Sequence, residues 1–269
     1  MIELKRVENG HWYYVDNEDF PGGKDLVSVT TFLDVIPSPG LRFWWENTDP
    51  ETIKRKQDEG KRQGSKVHHC SYLLSQGEKL SSDGLTKNQI KKLPLLSEDD
   101  ALADKDLLSY LRQPFTKREK DCLKGLMNFW NDFNPLPLEK EITVYSKKYE
   151  YAGTLDLIAK LKAPKAKRET LFVVDYKTSV SHDLNYERQL ACYVRALKEM
   201  RKNKQYKMAI LYLGKPTKKR YQFKIIDSYR ESLAGALRAK QEWHCRFPNA
   251  KPIVLNNFTE EYQVKIRKK

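Results

Sequence analysis

The sequence predicts a single α/β domain. A largely helical first half gives way to three consecutive β-type runs, then a helix, a hairpin and a last helix. No internal repeat and no low-complexity linker divides the 269 residues, and 31.6 kDa leaves room for one large domain or at most two small ones. Apolar residues at 39% and charged residues at 32%, with a mean hydropathy of −0.74, suit a globule with a real core and a heavily charged surface.

The elements follow in order. His11 to Val15 and Leu26 to Thr30 read as short strands around a Gly22-Gly23 turn. Thr30 or Thr31 caps a short helix through Ile36, which Pro37 and Pro39 break. Leu41 to Glu46 forms another short helix carrying Trp44 and Trp45. Residues 51–76 are helical in composition but contain Gly60 and Gly64, so the sturdier helix is expected over Ser65 to Ser75. Residues 77–120 are polar, with an acidic cluster at Glu98-Asp99-Asp100, and read as an insertion of short helices. A helix from Thr116 to Phe133 is closed by Asn134-Pro135.

The period then changes. Ile142 to Ser146, Gly153 to Leu161 and Leu171 to Lys177 are rich in Val, Ile, Leu and Tyr and are parted by polar turns. Ser181 or Asp183 caps the next helix, whose Leu190, Tyr193, Val194 and Leu197 make one apolar stripe. Met208 to Leu213 and Tyr221 to Ile226 form a hairpin about Gly214-Lys215-Pro216, and a helix from Ser228 to Phe247 comes after it.

Charge narrows the partners. The formal net charge is +14, and residues 195–269 carry all of it, with 20 Lys/Arg against 6 Asp/Glu. A basic C-terminal part that completes the core points to a polyanion partner, either nucleic acid or an anionic membrane surface, with a solvated Lys-rich tail as the alternative. Interleaved rings (Tyr206, Tyr212, Tyr221, Phe223) favour nucleic acid, because bases stack on them. Lys215, Lys218, Lys219 and Arg220 at the hairpin turn are the candidate phosphate contacts. No stretch approaches the roughly 20 apolar residues of a membrane-spanning helix. The start, Met1-Ile2-Glu3-Leu4-Lys5, has neither a secretory run nor a transit pattern. Cys70, Cys122, Cys192 and Cys245 are scattered without a CxxC pair, which argues against a disulfide framework, a zinc ribbon and an iron–sulfur cluster. The reducing cytoplasm is the expected compartment.

One constellation carries chemistry. If the second and third β-runs pair symmetrically about Pro164-Lys165-Ala166-Lys167, residues whose numbers sum to 331 face one another, and Asp156 faces Asp175. Opposed side chains of an antiparallel pair sit about 4.5–5.5 Å apart at Cβ. Two ionised carboxylates that close repel unless a cation lies between them. Asp is a poor strand residue, yet both occur in runs that otherwise read as buried. Lys177 shares a strand face with Asp175. Two acids with an ammonium beside them suit a hard divalent cation, Mg²⁺ or Mn²⁺. A buried Asp–Lys ion pair, with the second Asp at a strand end, is the alternative.

Gly153-Thr154-Leu155-Asp156, then Val174-Asp175-Tyr176-Lys177-Thr178-Ser179, then Gln189-Leu190-Ala191-Cys192-Tyr193 resembles the PD-(D/E)XK nuclease superfamily. More narrowly, the chain is similar to the RecB-like branch with its trailing QxxxY motif, which includes Cas4-type nucleases and the mitochondrial genome maintenance exonucleases. Gly64-Ser65-Lys66-Val67-His68 fits that branch's upstream Gly-x-x-x-His. Ser28-Val29-Thr30-Thr31 with Trp44-Trp45 resembles the lead-in of its mitochondrial and phage members. The matches span residues 28–193.

The resemblance implies a mixed central sheet flanked by helices, in one nuclease domain over residues 1–269. It implies that His68, Asp156, Asp175 and the carbonyl of Tyr176 hold the metal and that Lys177 orients or activates the attacking water. Gln189 and Tyr193 fall near the substrate or the Lys177 loop, with a core role for Tyr193 open beside that one. Glu141, just before the first of the three runs, matches an acidic position some members use, and His69 is the alternative to His68. Lacking the cysteine cluster of Cas4-type members, the chain is expected to carry no iron–sulfur cluster. The activity so implied is a metal-dependent DNA exonuclease on single-stranded or free-ended DNA, in phage or bacterial recombination, replication or repair. A structure-specific endonuclease or resolvase on the same fold and a non-catalytic basic DNA-binding module are the alternatives.

Overall fold

The computed structural model describes residues 2–7, 10–93, 105–162, 166, 168–179, 181–202 and 204–252. The chain opens with a meander of β1 (Ile2–Val7), β2 (Gly10–Asn17) and β3 (Phe20–Ser28). The β2–β3 turn is not at Gly22-Gly23. It lies at residues 18–19, where Oδ1 of Asn17 accepts from the backbone N–H groups of Asp19 and Phe20 at 3.0 and 3.3 Å. Gly22 and Gly23 sit inside β3 with φ of 83° and 84°, in a stretch where the β2–β3 ladder shifts register.

Helix α1 (Val29–Leu33) has Ser28 rather than Thr30 or Thr31 at its N-cap, so it starts two or three residues earlier than expected, and it ends at Leu33 rather than Ile36. In α2 (Pro39–Glu46) a proline begins the first turn and Oγ of Ser38 caps the N–H of Leu41. Helix α3 (Pro50–Ser75) runs unbroken through Gly60 and Gly64, capped by Asp49, so the expected start at Ser65 is corrected. Helix α4 (Lys87–Ile90), α5 (Lys105–Arg112) and α6 (Lys117–Phe133) come next. A Thr116/Glu119 capping box opens α6, and Asn134 closes it in the left-handed region at φ 41°.

The described parts of the 77–120 insertion pack as core: Leu85, Ile90, Leu93, Leu111 and Phe115 are buried. The Glu98-Asp99-Asp100 cluster lies outside the described residues. A buried cation ties the insertion to α3. Nζ of Lys66 donates to the carbonyl of Gln113 at 2.7 Å, lies 3.6 Å from Oε2 of Glu119, and sits over the rings of Tyr110 and Phe115.

The second half alternates as expected: β4 (Leu136–Ser146), β5 (Tyr151–Leu161), β6 (Thr170–Lys177), α7 (Leu184–Met200), β7 (Lys207–Leu213), β8 (Tyr221–Ile226) and α8 (Tyr229–Arg246). Asp183 rather than Ser181 caps α7. Eight strands make one mixed sheet in the order β1-β2-β3-β5-β6-β7-β8, with β4 also paired to β5. The β3–β5 and β6–β7 pairs are parallel and the others antiparallel. This is the mixed sheet flanked by helices that the sequence implied. Phe32, Leu155, Leu190, Leu197 and Trp243 belong to the core on one face, and Val67, Leu73, Phe129, Leu157 and Phe172 to the core on the other. Among the described residues no helix is long and apolar enough to cross a membrane.

Two features of β5 set the surroundings of Asp156. Opposite β4, the other edge of the strand is shared: β3 pairs with Tyr151 and Ala152, and β6 with Leu157 to Leu161. Residues 153–156 therefore lack a strand partner on that side among the described residues. Second, β4 and β5 change faces together. Ile142 and Leu155 pack with the first core, whereas Leu157 packs with the second and Nζ of Lys140 reaches the carbonyl of Ser75 on α3. The switch falls at Glu141, whose φ of 48° is left-handed for a non-glycine residue.

Candidate metal centre

The β5–β6 ladder runs Leu157↔Val174 through Leu161↔Thr170, so paired numbers sum to 331 as the hairpin arithmetic required. Asp156 and Asp175 lie one step past its last pair. Across β4, Lys140↔Leu157 and Ile142↔Leu155 bracket Glu141 and Asp156, which face each other at the kink. Three carboxylates thus stand in one row across three strands. Glu141 is inside β4, not before it, because that strand starts at Leu136.

Where the ladder opens, side chains take over from backbone. The N–H of Tyr176 donates to Oδ2 of Asp156 at 2.6 Å. Oδ1 of Asp156 is 3.2 Å from Nδ1 of His68, and Nε2 of that ring is 3.1 Å from the carbonyl oxygen of Tyr176. His68, Glu141 and Asp156 each offer a ligand atom within 4.8 Å of the others. His69, the neighbouring alternative, is buried and belongs to no such cluster among the described residues.

Nζ of Lys177 pairs with the buried Oδ2 of Asp175 at 2.8 Å. The same ammonium donates to Oε1 of Gln189 at 3.0 Å and lies 4.7 Å from the Tyr186 ring centroid. Nε2 of Gln189 donates to the Tyr193 hydroxyl at 2.8 Å. Tyr193 is buried and touches the backbone of the Gly-Thr-Leu-Asp run. A Cβ on Gly153 would stand 2.5 Å from its Cε1. Tyr193 is therefore both a core residue and the end of a chain of contacts that reaches Lys177.

Proton affinities reflect this crowding. Burial pushes the Glu141 carboxyl up, with the Asp156 charge adding to it, to about 8. Burial likewise raises Asp175, which Lys177 opposes and Asp156 reinforces, to about 6. Burial disfavours a charge on His68, yet Asp156 and Glu141 outweigh it and lift the ring to about 9. Asp156, despite its burial, is held below the usual carboxylate range by His68 and Lys177. Lys177 is raised: burial opposes its charge, but Asp175 and Asp156 prevail.

The converged donors are one imidazole and two carboxylates, with the Tyr176 carbonyl against the ring of His68 and Asp175 next in the row but outside that cluster among the described residues, a set that fits a hard divalent cation. Two buried carboxyls driven toward neutrality, Glu141 and Asp175, are what such a cation would relieve.

The four basic residues of the β7–β8 turn lie at the Lys177 end of the sheet, since β6 and β7 run parallel. Lys219 pairs with Asp132 at 2.6 Å, Arg220 approaches Asp121 at 3.5 Å, and Nζ of Lys215 lies over the Tyr212 ring. Lys218 belongs to the same turn. Sequence reasoning missed Arg118, whose Nη2 donates to the carbonyl of Thr178, the residue after Lys177, at 2.5 Å. Nothing in its local pattern marks it, because α6 and β6 meet only in the fold.

A family model described as the PD-(D/E)XK nuclease superfamily matches residues 40–261, a span that takes in every residue of this centre. No curated protein matches the chain.

Proposed function

The chain belongs to the PD-(D/E)XK nuclease superfamily, and from that premise we propose that it is a DNA exonuclease working with Mg²⁺ or Mn²⁺ on single-stranded or free-ended DNA. As a superfamily member it is a metal-dependent nuclease acting on nucleic acid. The observation that carries the metal-dependent reading is the row Glu141–Asp156–Asp175, closed by His68 on one side and Lys177 on the other.

His68, Glu141, Asp156, Asp175 and the carbonyl of Tyr176 would hold the ion. When bound, it supplies the Lewis acidity that polarises a phosphate oxygen and brings the pKa of a water toward neutrality. Lys177 keeps its ammonium at the edge of the row, where it orients the attacking water or balances charge developing on the phosphate. Gln189 fixes that ammonium from α7, and Tyr193 fixes Gln189; both are positioning residues. Lys215, Lys218, Lys219 and Arg220 would meet the phosphate backbone without reading sequence, with Lys219 and Arg220 exchanging their aspartate partners for phosphates. The Gln189–Tyr193 pair, which the resemblance assigns to exonuclease-like members, supports end-dependent cutting over the endonuclease alternative.

A 5′-labelled single strand, its duplex and a closed single-stranded circle, each with and without Mg²⁺, test this reading. Loss of the linear strand with an intact circle is the expected result. Cutting of the circle would assign an endonuclease, and no product from any substrate would remove the nuclease reading.

A further inference from the structure

A cavity of about 550 Å³ opens beside the metal centre, bordered by Lys177 and Gln189 on the catalytic side and by Leu33, Pro37, Trp45 and Tyr186 beyond. That volume suits a small organic ligand, and the lining sets Trp45, Tyr186 and three aliphatic residues among polar and charged groups, the carboxyls of Asp34 and Asp183 as well as the ammoniums of Lys61 and Lys177. Tyr186 is already occupied, with Lys177 over its ring and Tyr212 packed nearby. Trp45 is the aromatic wall that remains.

Trp45 stands on α2, an unusual helix. It carries Leu41, Phe43, Trp44 and Trp45 in eight residues, yet none of its residues is buried and Phe43 is 67% exposed. Rings held out of both cores beside a catalytic lysine are placed to pack on something other than protein. The opposite wall is α3, where Gln57, Lys61, Gly64 and His68 recur at helical spacing on one face. Gln57 and Lys61 line the cavity and His68 reaches the carboxylates, while Gly64 between them lies against Thr178, whose Oγ1 is 3.7 Å from where a Cβ would stand. A second cavity of about 750 Å³ shares Pro37 and Trp45 with the first and is bordered by Arg42, Arg238 and Arg246, of which Arg42 pairs with Glu46 and Arg246 with Glu242 in the same wall. The track thus runs from the carboxylates past aromatic groups to Arg238 and to two arginines that would exchange their glutamate partners for phosphates, a pattern that suits the bases and phosphates of one strand.

We propose that this cavity is a nucleobase pocket. It takes the base next to the scissile phosphate of a single DNA strand, stacked on Trp45, and leads the strand out between α2 and α3. The proposal rests on the nuclease reading and adds its substrate-gripping element.

The test is made in EDTA, where nothing is cut, on a ten-nucleotide single strand carrying one abasic residue or one 2-aminopurine at successive positions. Affinity is read for the wild type, W45A and W45F by anisotropy, and stacking by 2-aminopurine quenching. W45A is expected to weaken binding about 10-fold or more, and W45F to keep most of the affinity. One abasic position should cost the wild type a similar factor and cost W45A nothing further. A 2-aminopurine at that position should be quenched in the wild type, a readout that needs no variant to fold. Wild-type affinity in W45A, equal abasic penalties in both proteins, or no quenching at any position would overturn the pocket. Cleavage with Mg²⁺ is scored separately. Coupling without product would refute the nuclease reading and keep the pocket; product without coupling would do the reverse.

Discussion

Replacing Gly153 by alanine places a methyl group where a ring already stands. The added Cβ would lie 2.5 Å from Cε1 and 3.2 Å from the hydroxyl of Tyr193. Ordinary carbon contact begins near 3.5 Å, so the ring must retreat by about 1 Å. Tyr193 is 2% exposed and its hydroxyl holds Gln189, which holds Lys177, so no slack exists along that chain. Overpacking of this kind costs about 1–3 kcal/mol, which for a domain of this size lowers Tm by about 2–10 °C. The displacement passed to Lys177 should lower kcat about 10- to 100-fold, the usual penalty for misplacing a catalytic group by an ångström. Melting by circular dichroism and initial rates on labelled DNA read both numbers from one preparation. Tyr193→Phe, which loses the hydrogen bond without a clash, should lower kcat less and leave KM unchanged. A Gly153→Ala protein with wild-type kcat would refute the argument that Tyr193 positions the lysine.

The same geometry fixes the outcome of other perturbations. Asp175→Ala and Lys177→Ala should abolish cleavage while gel shifts show DNA binding largely intact; wild-type turnover by either would misassign the site. His68, Glu141 and Asp175 all have raised proton affinities, so as the pH rises from 6 to 9 their protons leave and Mn²⁺ should bind more tightly, as calorimetry would read. The sign for stability is opposite. Groups raised on folding stabilise below their unfolded pKa values, and that contribution is lost as pH passes their folded ones. The metal-free protein should therefore lose Tm between pH 6 and 9, and Mg²⁺ should restore more of it at the upper end; a flat thermal-shift profile would contradict this. Lys66→Met leaves Glu119 buried without its cation and should cost about 3–5 kcal/mol in urea unfolding, with much of the loss recovered in K66M/E119L. A single variant of wild-type stability would show that Lys66 does not secure the insertion.

The part of the centre legible in the sequence is the part made locally. Asp156 and Asp175 could be paired because a hairpin has one symmetric register and a strand has period two, and the ladder has that register. Helix α6 was bounded by its Thr116 and Asn134 signals, which act within one turn. The kink at Glu141 was not legible, since a left-handed glutamate is imposed by the neighbouring strands and leaves no composition mark. The β2–β3 turn was misplaced because Gly22-Gly23 outweighs Asn17 on propensity, whereas the Asn17 side chain closes the turn. Gly60 and Gly64 weakened the expectation for α3 because local propensity does not count its tertiary packing, and Val67, Cys70 and Leu73 are fully buried along its second half. The parallel pairs β3–β5 and β6–β7 join segments more than thirty residues apart, and so the shared edge of β5 that exposes Asp156 could not be read before the fold was known.

The central claim is that Glu141, Asp156 and Asp175 converge with His68 on one divalent ion. Anomalous diffraction from a crystal soaked in Mn²⁺ tests it most directly. The account predicts a peak bonded at about 2.0–2.2 Å to Asp156 and Asp175 with His68 alongside; a map with no peak among these side chains, or with the aspartates turned away from each other, would contradict it.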